Sequence, residues 1–311
     1  MTSRLSIGWV VVLAAAVAFA VFSGARAQSQ EGVMVEWPYV GADQAHTKFS
    51  TAAQITLDNV DQLEIAWEWE PGELPLQEYG TRPGSFQTTP LMIDNILYVS
   101  TMYTRVVALD VETGEEVWAF DPRAYEGGSR GAPRGGFKHR GIAVHGEGDD
   151  MRVFLNSRDK LYAIDAKSGE LVATFGDDGH VVLTEGFPND VSPEEFDQTS
   201  PPVVFEDLVI VGSRVPDRIQ HRFDTPGSVQ AFDVHTGERR RVFYTVPQSN
   251  DSFGADTWED GSCSMYRVSH RAHRRGADLC AVLSHPPQGG EGKGHHEAWV
   301  LSRRSDADNC L

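Results

Sequence analysis

Three stretches of the chain share one pattern of apolar and polar positions. Val107-Ala108-Leu109-Asp110 leads into Thr113-Gly114-Glu115 and then Trp118 and Phe120. Tyr162-Ala163-Ile164-Asp165 leads into Ser168-Gly169-Glu170 and then Phe175. Gln230-Ala231-Phe232-Asp233 leads into Thr236-Gly237-Glu238 and then Phe243. In each stretch Gly follows the Asp by four residues and Phe follows it by ten. An apolar run ending on Asp, a polar turn and an aromatic-bearing run predict a β-hairpin. The Asp carboxylate can accept hydrogen bonds from the turn backbone, and Gly takes the left-handed position without steric cost. Upstream of each hairpin lies another apolar run, at 97–100, 153–156 and 203–212. Each unit thus supplies about four strands, the size of a propeller blade. No long helical periodicity competes. The expected fold is all-β, a partial β-propeller of about four blades.

The residue eight places after the Asp is Trp118 in the first repeat, but Ala173 and Arg241 in the others. If that indole packs between blades, two of the three blades lack it. These repeat residues imply a fold and no chemistry.

The first residues read differently. Arg4 supplies a positive start, Trp9 to Phe22 is an uncharged run, and Ala25-Arg26-Ala27 is a small-x-small site. This is the layout of a secretory signal peptide over 1–27, with Gln28 opening the mature chain. The apolar run is shorter than the roughly 20 residues of a membrane span. The expected location is periplasmic or secreted. The body then covers 28–262, and a tail over 263–311 lacks the repeat pattern. That tail is expected to be disordered or the product of a shifted reading frame.

Charge narrows the partners. The net charge is −18, with 27 basic and 45 acidic residues. A chain this acidic repels phosphate backbones, which excludes nucleic acid. The glycines and arginines between Tyr125 and Arg140 are accordingly read as a loop. Cys263, Cys280 and Cys310 all lie in the tail, so no disulfide framework holds the body. His295-His296 and these cysteines show no zinc-type spacing, and no metal ligands are assigned.

One ordered set of residues carries more than a fold. It opens with Trp37-Pro38-Tyr39-Val40-Gly41-Ala42-Asp43, followed by Lys48-Phe49-Ser50, Gln54-Ile55-Thr56, Asn59-Val60, Leu63 and Ala66-Trp67. It continues with Gln87-Thr88-Thr89-Pro90-Leu91, His139-Arg140-Gly141-Ile142-Ala143, Thr199-Ser200-Pro201-Pro202, Gly212-Ser213 and Asp256-Thr257-Trp258-Glu259-Asp260. Over roughly 36–262 the chain resembles the pyrroloquinoline quinone (PQQ)-dependent dehydrogenases, both glucose and alcohol types. The resemblance implies an eight-bladed ring, PQQ with calcium or magnesium, and oxidation of a sugar or alcohol. It also implies an electron acceptor such as a quinone or cytochrome.

Gln87, Arg140, Thr199, Ser200 and Ser213 are the cofactor-binding residues it implies. An Arg fork suits the carboxylates and quinone oxygens of PQQ, and hydroxyls can satisfy the rest. The family's catalytic Asp, its Asn metal ligand and its stacking Trp match no residue here, so the catalytic residues stay unassigned. Two functions follow. One is a quinoprotein dehydrogenase of which this chain is a truncated, inactive fragment. The other is a non-catalytic propeller scaffold or binding module of the cell envelope.

Overall fold

The computed structural model describes residues 35–257, apart from 130–135, 188–190, 192–195, 215–224, 246, 250 and 253. The proposed signal peptide, the tail and Trp258-Glu259-Asp260 lie outside the described residues.

Three four-stranded antiparallel sheets form in chain order. The first holds β1 (Leu91–Ile93), β2 (Ile96–Ser100), β3 (Val106–Asp110) and β4 (Glu116–Phe120). The second holds β5 (Ala143–His145), β6 (Arg152–Ser157), β7 (Lys160–Asp165) and β8 (His180–Val182). The third holds β9 (Val203–Phe205), β10 (Leu208–Gly212), β11 (Ser228–Asp233) and β12 (Arg239–Tyr244). The other ordered elements are short 3-10 turns. These are three propeller blades, each a simple meander. Of the about four expected, three lie among the described residues as complete sheets.

The central strands read as continuous apolar runs because both of their faces are covered. Side chains alternate across a strand. Val106 and Ala108 of β3 therefore join Tyr98, Val153, Leu155 and Ile164 between the first and second blades. Val107 and Leu109 point the other way and meet Trp67 and Trp69. In the second blade Phe154, Leu161 and Ala163 face the third, where Val209, Val211 and Phe232 complete a second layer.

The repeated turns are Asx turns, as the spacing predicted. Asp110 Oδ1 accepts from the backbone N–H of Glu112 and Thr113 and from the Thr113 hydroxyl. Asp165 does the same with Lys167 and Ser168, and Asp233 with His235 and Thr236.

The indole at the eighth position does pack between blades. Trp118 lies against Gly169 of the second blade, where φ is +75° and an added Cβ would come within 2.7 Å of the ring. Its Nε1 donates to Ala166 O at 2.9 Å. Trp67 repeats this on the first blade, against Gly114 and with Nε1 donating to Val111 O at 3.0 Å. Leu63 to Trp69 runs alongside the first blade with no strand pairing among the described residues.

The second repeat departs from the expected hairpin. After Gly169 only Leu171 bridges back to Ile164, and the outer strand resumes at His180. The chain between bulges toward the third blade. Phe175, expected in a strand, sits in this bulge and is fully buried. Gly176 then lies against Gly237 and donates its N–H to Thr236 O at 2.9 Å. A Cβ at Gly176 would fall 2.1 Å from His180 O, so no other residue fits this approach.

Candidate functional site

At one end of the blades, three entry segments meet edge to edge. They immediately precede β1, β5 and β9. Thr89 N–H donates to Arg140 O at 3.0 Å, and Arg140 N–H donates to Thr199 O at 3.1 Å. The Arg140 guanidinium also donates to the Thr199 hydroxyl. Arg140 is exposed on this rim. The structure therefore brings Arg140 and Thr199 together, with Ser200 next in the chain and exposed.

Gln87 and Ser213 share the end but take other partners. Gln87 is exposed, and its amide donates to Ser85 Oγ at 2.8 Å. Ser213 follows β10, its N–H donating to Ser228 O at 2.8 Å and its Oγ accepting from Ser228 N at the same distance. Ser213 lies at the end of the blade where β9 begins, with Pro201-Pro202 between Ser200 and that strand.

Beneath the rim runs a buried polar chain that sequence reading missed. Thr88 Oγ1 lies 2.9 Å from Ser100 Oγ, and Ser100 Oγ lies 3.0 Å from His139 Nδ1. His139 Nε2 lies 3.2 Å from Asn156 Oδ1, and Asn156 Nδ2 donates to Ser200 O at 2.8 Å. Ser100, His139 and Asn156 are all buried. The Asn oxygen can only accept, so Nε2 carries the imidazole proton and Nδ1 accepts from Ser100. Burial drives the His139 pKa down to about 4, against the opposing pull of Asn156. A neutral imidazole thus ties the first blade to the second, and the Asn156 amide ties the second to the third. The signal was present as polar residues ending the apolar runs at Ser100 and Asn156.

Two carboxylates stand near this end as well. Glu73 accepts from Thr101 Oγ1 and from Tyr103 N, and burial raises its pKa despite both bonds. Burial also raises the pKa of Asp197, against the charge of Arg214, whose Nε is 3.2 Å from Oδ2. Asp197 Oδ2 and Gln198 Oε1 are buried and accept no hydrogen bond from the described residues. Both lie just before Thr199.

The arrangement can hold an anion at the exposed guanidinium and hydroxyls of the rim. The hydrogen-bonded chain below, with His139 neutral, adds no charge.

Comparison with known proteins gives the family of this chain. The family profile described as PQQ, glucose/ethanol/alcohol dehydrogenase β-propeller domain, matches residues 37–267. The quinoprotein glucose dehydrogenase of Escherichia coli (strain K12) is 32% identical over 213 residues, 65% of this chain and 26% of that protein. The quinohemoprotein alcohol dehydrogenase of Comamonas testosteroni is 31% identical over 219 residues, 68% of this chain and 26% of that protein. The crystal structure of that alcohol dehydrogenase superposes with a TM-score of 0.52 at 26% identity, covering 68% of this chain and 28% of the other. The chain spans about a quarter of the length of these curated relatives.

Proposed function

Because the chain belongs to the PQQ-dependent dehydrogenase β-propeller family, we propose that its rim of entry segments is part of a PQQ site in an enzyme oxidising a sugar or alcohol. The observation that carries this reading is the Thr89–Arg140–Thr199 ladder with the guanidinium exposed above it. PQQ is a planar tricarboxylate, and an Arg fork pairs such groups by charge-assisted bonds. Arg140 would hold a carboxylate or quinone oxygen, with Thr199, Ser200, Gln87 and Ser213 as the further polar groups. Calcium or magnesium, the metals expected with PQQ, take hard oxygen donors. Gln198 Oε1, buried without a hydrogen-bond partner among the described residues, is such an atom beside Thr199. When bound, PQQ supplies the two-electron acceptor for the substrate C–H.

The protein's own groups bind and orient. His139 stays neutral below the rim and adds no charge that would compete with Arg140 for an anion. No residue of 36–262 carries the family's general base. The chain by itself is therefore proposed to bind PQQ without turning over glucose or simple alcohols. The signal-peptide layout supports a periplasmic or secreted setting, where a quinone or cytochrome would receive the electrons.

The test is a PQQ titration of the chain with calcium present. Arg140→Ala is expected to abolish binding, and Arg140→Lys to restore little of it. Equal binding by parent and Arg140→Ala would return Arg140 to a surface role.

A further inference from the structure

At the opposite end of the blades three side chains converge from different elements. His145 ends β5 in the second blade. Asp207 sits in the turn between β9 and β10, and His235 in the turn after β11. Asp207 Oδ1 is 3.7 Å from His145 Nε2 and 3.9 Å from His235 Nε2. All three ligand atoms lie within 4.8 Å of one another. The two imidazole rings meet edge to face with centroids 5.4 Å apart.

We propose that His145, Asp207 and His235 form a zinc-class divalent metal site that clips the second blade to the third. The chemistry favours such an ion. Two imidazoles and one carboxylate are the donors that zinc, copper and nickel take, whereas calcium and magnesium prefer oxygen alone. Zinc holds nitrogen and oxygen ligands at about 2.0–2.2 Å in a tetrahedron, which sets ligand atoms roughly 3.4 Å apart. The observed separations need side-chain moves on the order of 1 Å to reach that value. Three protein ligands leave the fourth position to water or an anion.

The scaffold is already built. His235 N–H donates to Asp233 Oδ1 at 3.0 Å, which fixes its turn. Val234 N–H donates to Asp207 O at 3.0 Å, which ties the two turns of the third blade together. His145 pairs with Arg152 across the β5–β6 ladder. Arg152 is the opposing charge, and its guanidinium is held on the carbonyls of Val234 and His235 at 3.1 and 3.0 Å. No free imidazole or carboxylate of the PQQ rim takes part, so the site is independent of that reading.

The test is zinc uptake by calorimetry on the full chain, on His145→Ala/His235→Ala and on Asp207→Asn. The chain has 11 histidines, five of them after Cys263, so the difference between proteins is the readout. The double variant is expected to bind one zinc fewer than the parent. Asp207→Asn is expected to weaken that zinc by at least the roughly 10–100-fold that even outer-shell changes cost. Excess calcium should not displace it. Zinc should also raise the thermal midpoint of the parent and not that of the double variant, since the ligands come from two blades. Should the double variant misfold, His235→Gln at an exposed turn gives the same comparison, again with at least a roughly 10-fold loss. Zinc bound with the same stoichiometry and affinity by parent and variants would overturn the site.

Discussion

Between the first and second blades an indole ring covers the glycine turn; between the second and third, backbone and a guanidinium cover it. In the first case Trp118 lies on Gly169 and donates to Ala166 O. In the second, Gly176 lies on Gly237 and donates to Thr236 O, while Arg152 donates to Val234 O and His235 O. Ala166 and Val234 occupy the same place, one residue after the turn Asp. What stays constant is therefore the acceptor: an Asx turn whose carbonyls face the neighbouring blade. The donor is interchangeable. A repeat can lose its tryptophan without losing the blade contact, provided the chain bulges to bring another N–H into place.

The bulge needs an anchor, and Phe175 is that anchor. It is fully buried and pairs with Phe154 at 5.6 Å between ring centroids. Phe175→Ala is expected to destabilise the protein by about 3–5 kcal/mol, the usual range for removing a buried aromatic. Urea denaturation of the parent and variant measures it. A loss of under about 1 kcal/mol would mean the bulge is held by its backbone bonds alone.

At the other end the interfaces share one polar chain, in which Asn156 reaches Ser200 O of the third blade and His139 meets Ser100 of the first. The His139 imidazole is neutral when folded, with a pKa near 4, against 6.5 for an ordinary histidine. Below pH 6.5 the unfolded chain takes up a proton that the folded one refuses. Stability is thus complete above that pH and falls as pH drops toward 4, by about 3 kcal/mol for this group. Denaturant midpoints between pH 7 and 4 should fall more steeply for the parent than for His139→Gln, since carboxylates contribute to both. Parallel curves would remove His139 as the cause.

Much of this was legible in the residues. The Asp–Gly spacing located all three turns, because an Asx turn is a local structure with a fixed number of residues. The apolar runs located the strands for the same reason. The bulge at 172–179 was not legible: Phe175 keeps its spacing from Asp165, yet its place is set by the third blade. The rim followed the same division. Arg140 and Thr199 stood out by resemblance, and the structure puts them in contact. The chain from Thr88 to Ser200 did not stand out. Ser100 and Asn156 are single polar residues ending apolar runs, Thr88, His139 and Ser200 entered only through the resemblance, and only the closing of three blades makes them neighbours. His145, Asp207 and His235 were hidden for the same reason.

Arg152 measures the substitute donor directly. Arg152→Met keeps the aliphatic stem and removes both hydrogen bonds to Val234 O and His235 O. The His235 carbonyl can turn to water, so the loss is expected near 1–2 kcal/mol rather than the full value of two charged bonds. The measurement is made with a chelator present, which separates it from metal binding. A neutral change would leave Gly176 N–H as the donor that holds the third blade's turn.

The smallest effect is expected where the donor is an indole. Trp118→Phe keeps an aromatic ring near Gly169, removes the Nε1–H bond to Ala166 O and trims the partly buried indole to a single ring. That carbonyl has a second partner, the hydroxyl of Tyr98, at 3.2 Å. One of its two lone pairs therefore stays satisfied after the change, and the buried-acceptor penalty does not apply in full. Trp118 is also only partly buried, so water reaches part of the site. The lost hydrogen bond should contribute about 0.5–1 kcal/mol of the cost, the low end for a neutral one. Removing Tyr98's hydroxyl as well, by Tyr98→Phe, should cost more than the two single losses together, because the carbonyl then has neither donor. A double-mutant cycle with those two substitutions gives the coupling. Strict additivity would show that the indole acts at this interface by its ring alone, which would make the two blade contacts less alike than their shared acceptor implies.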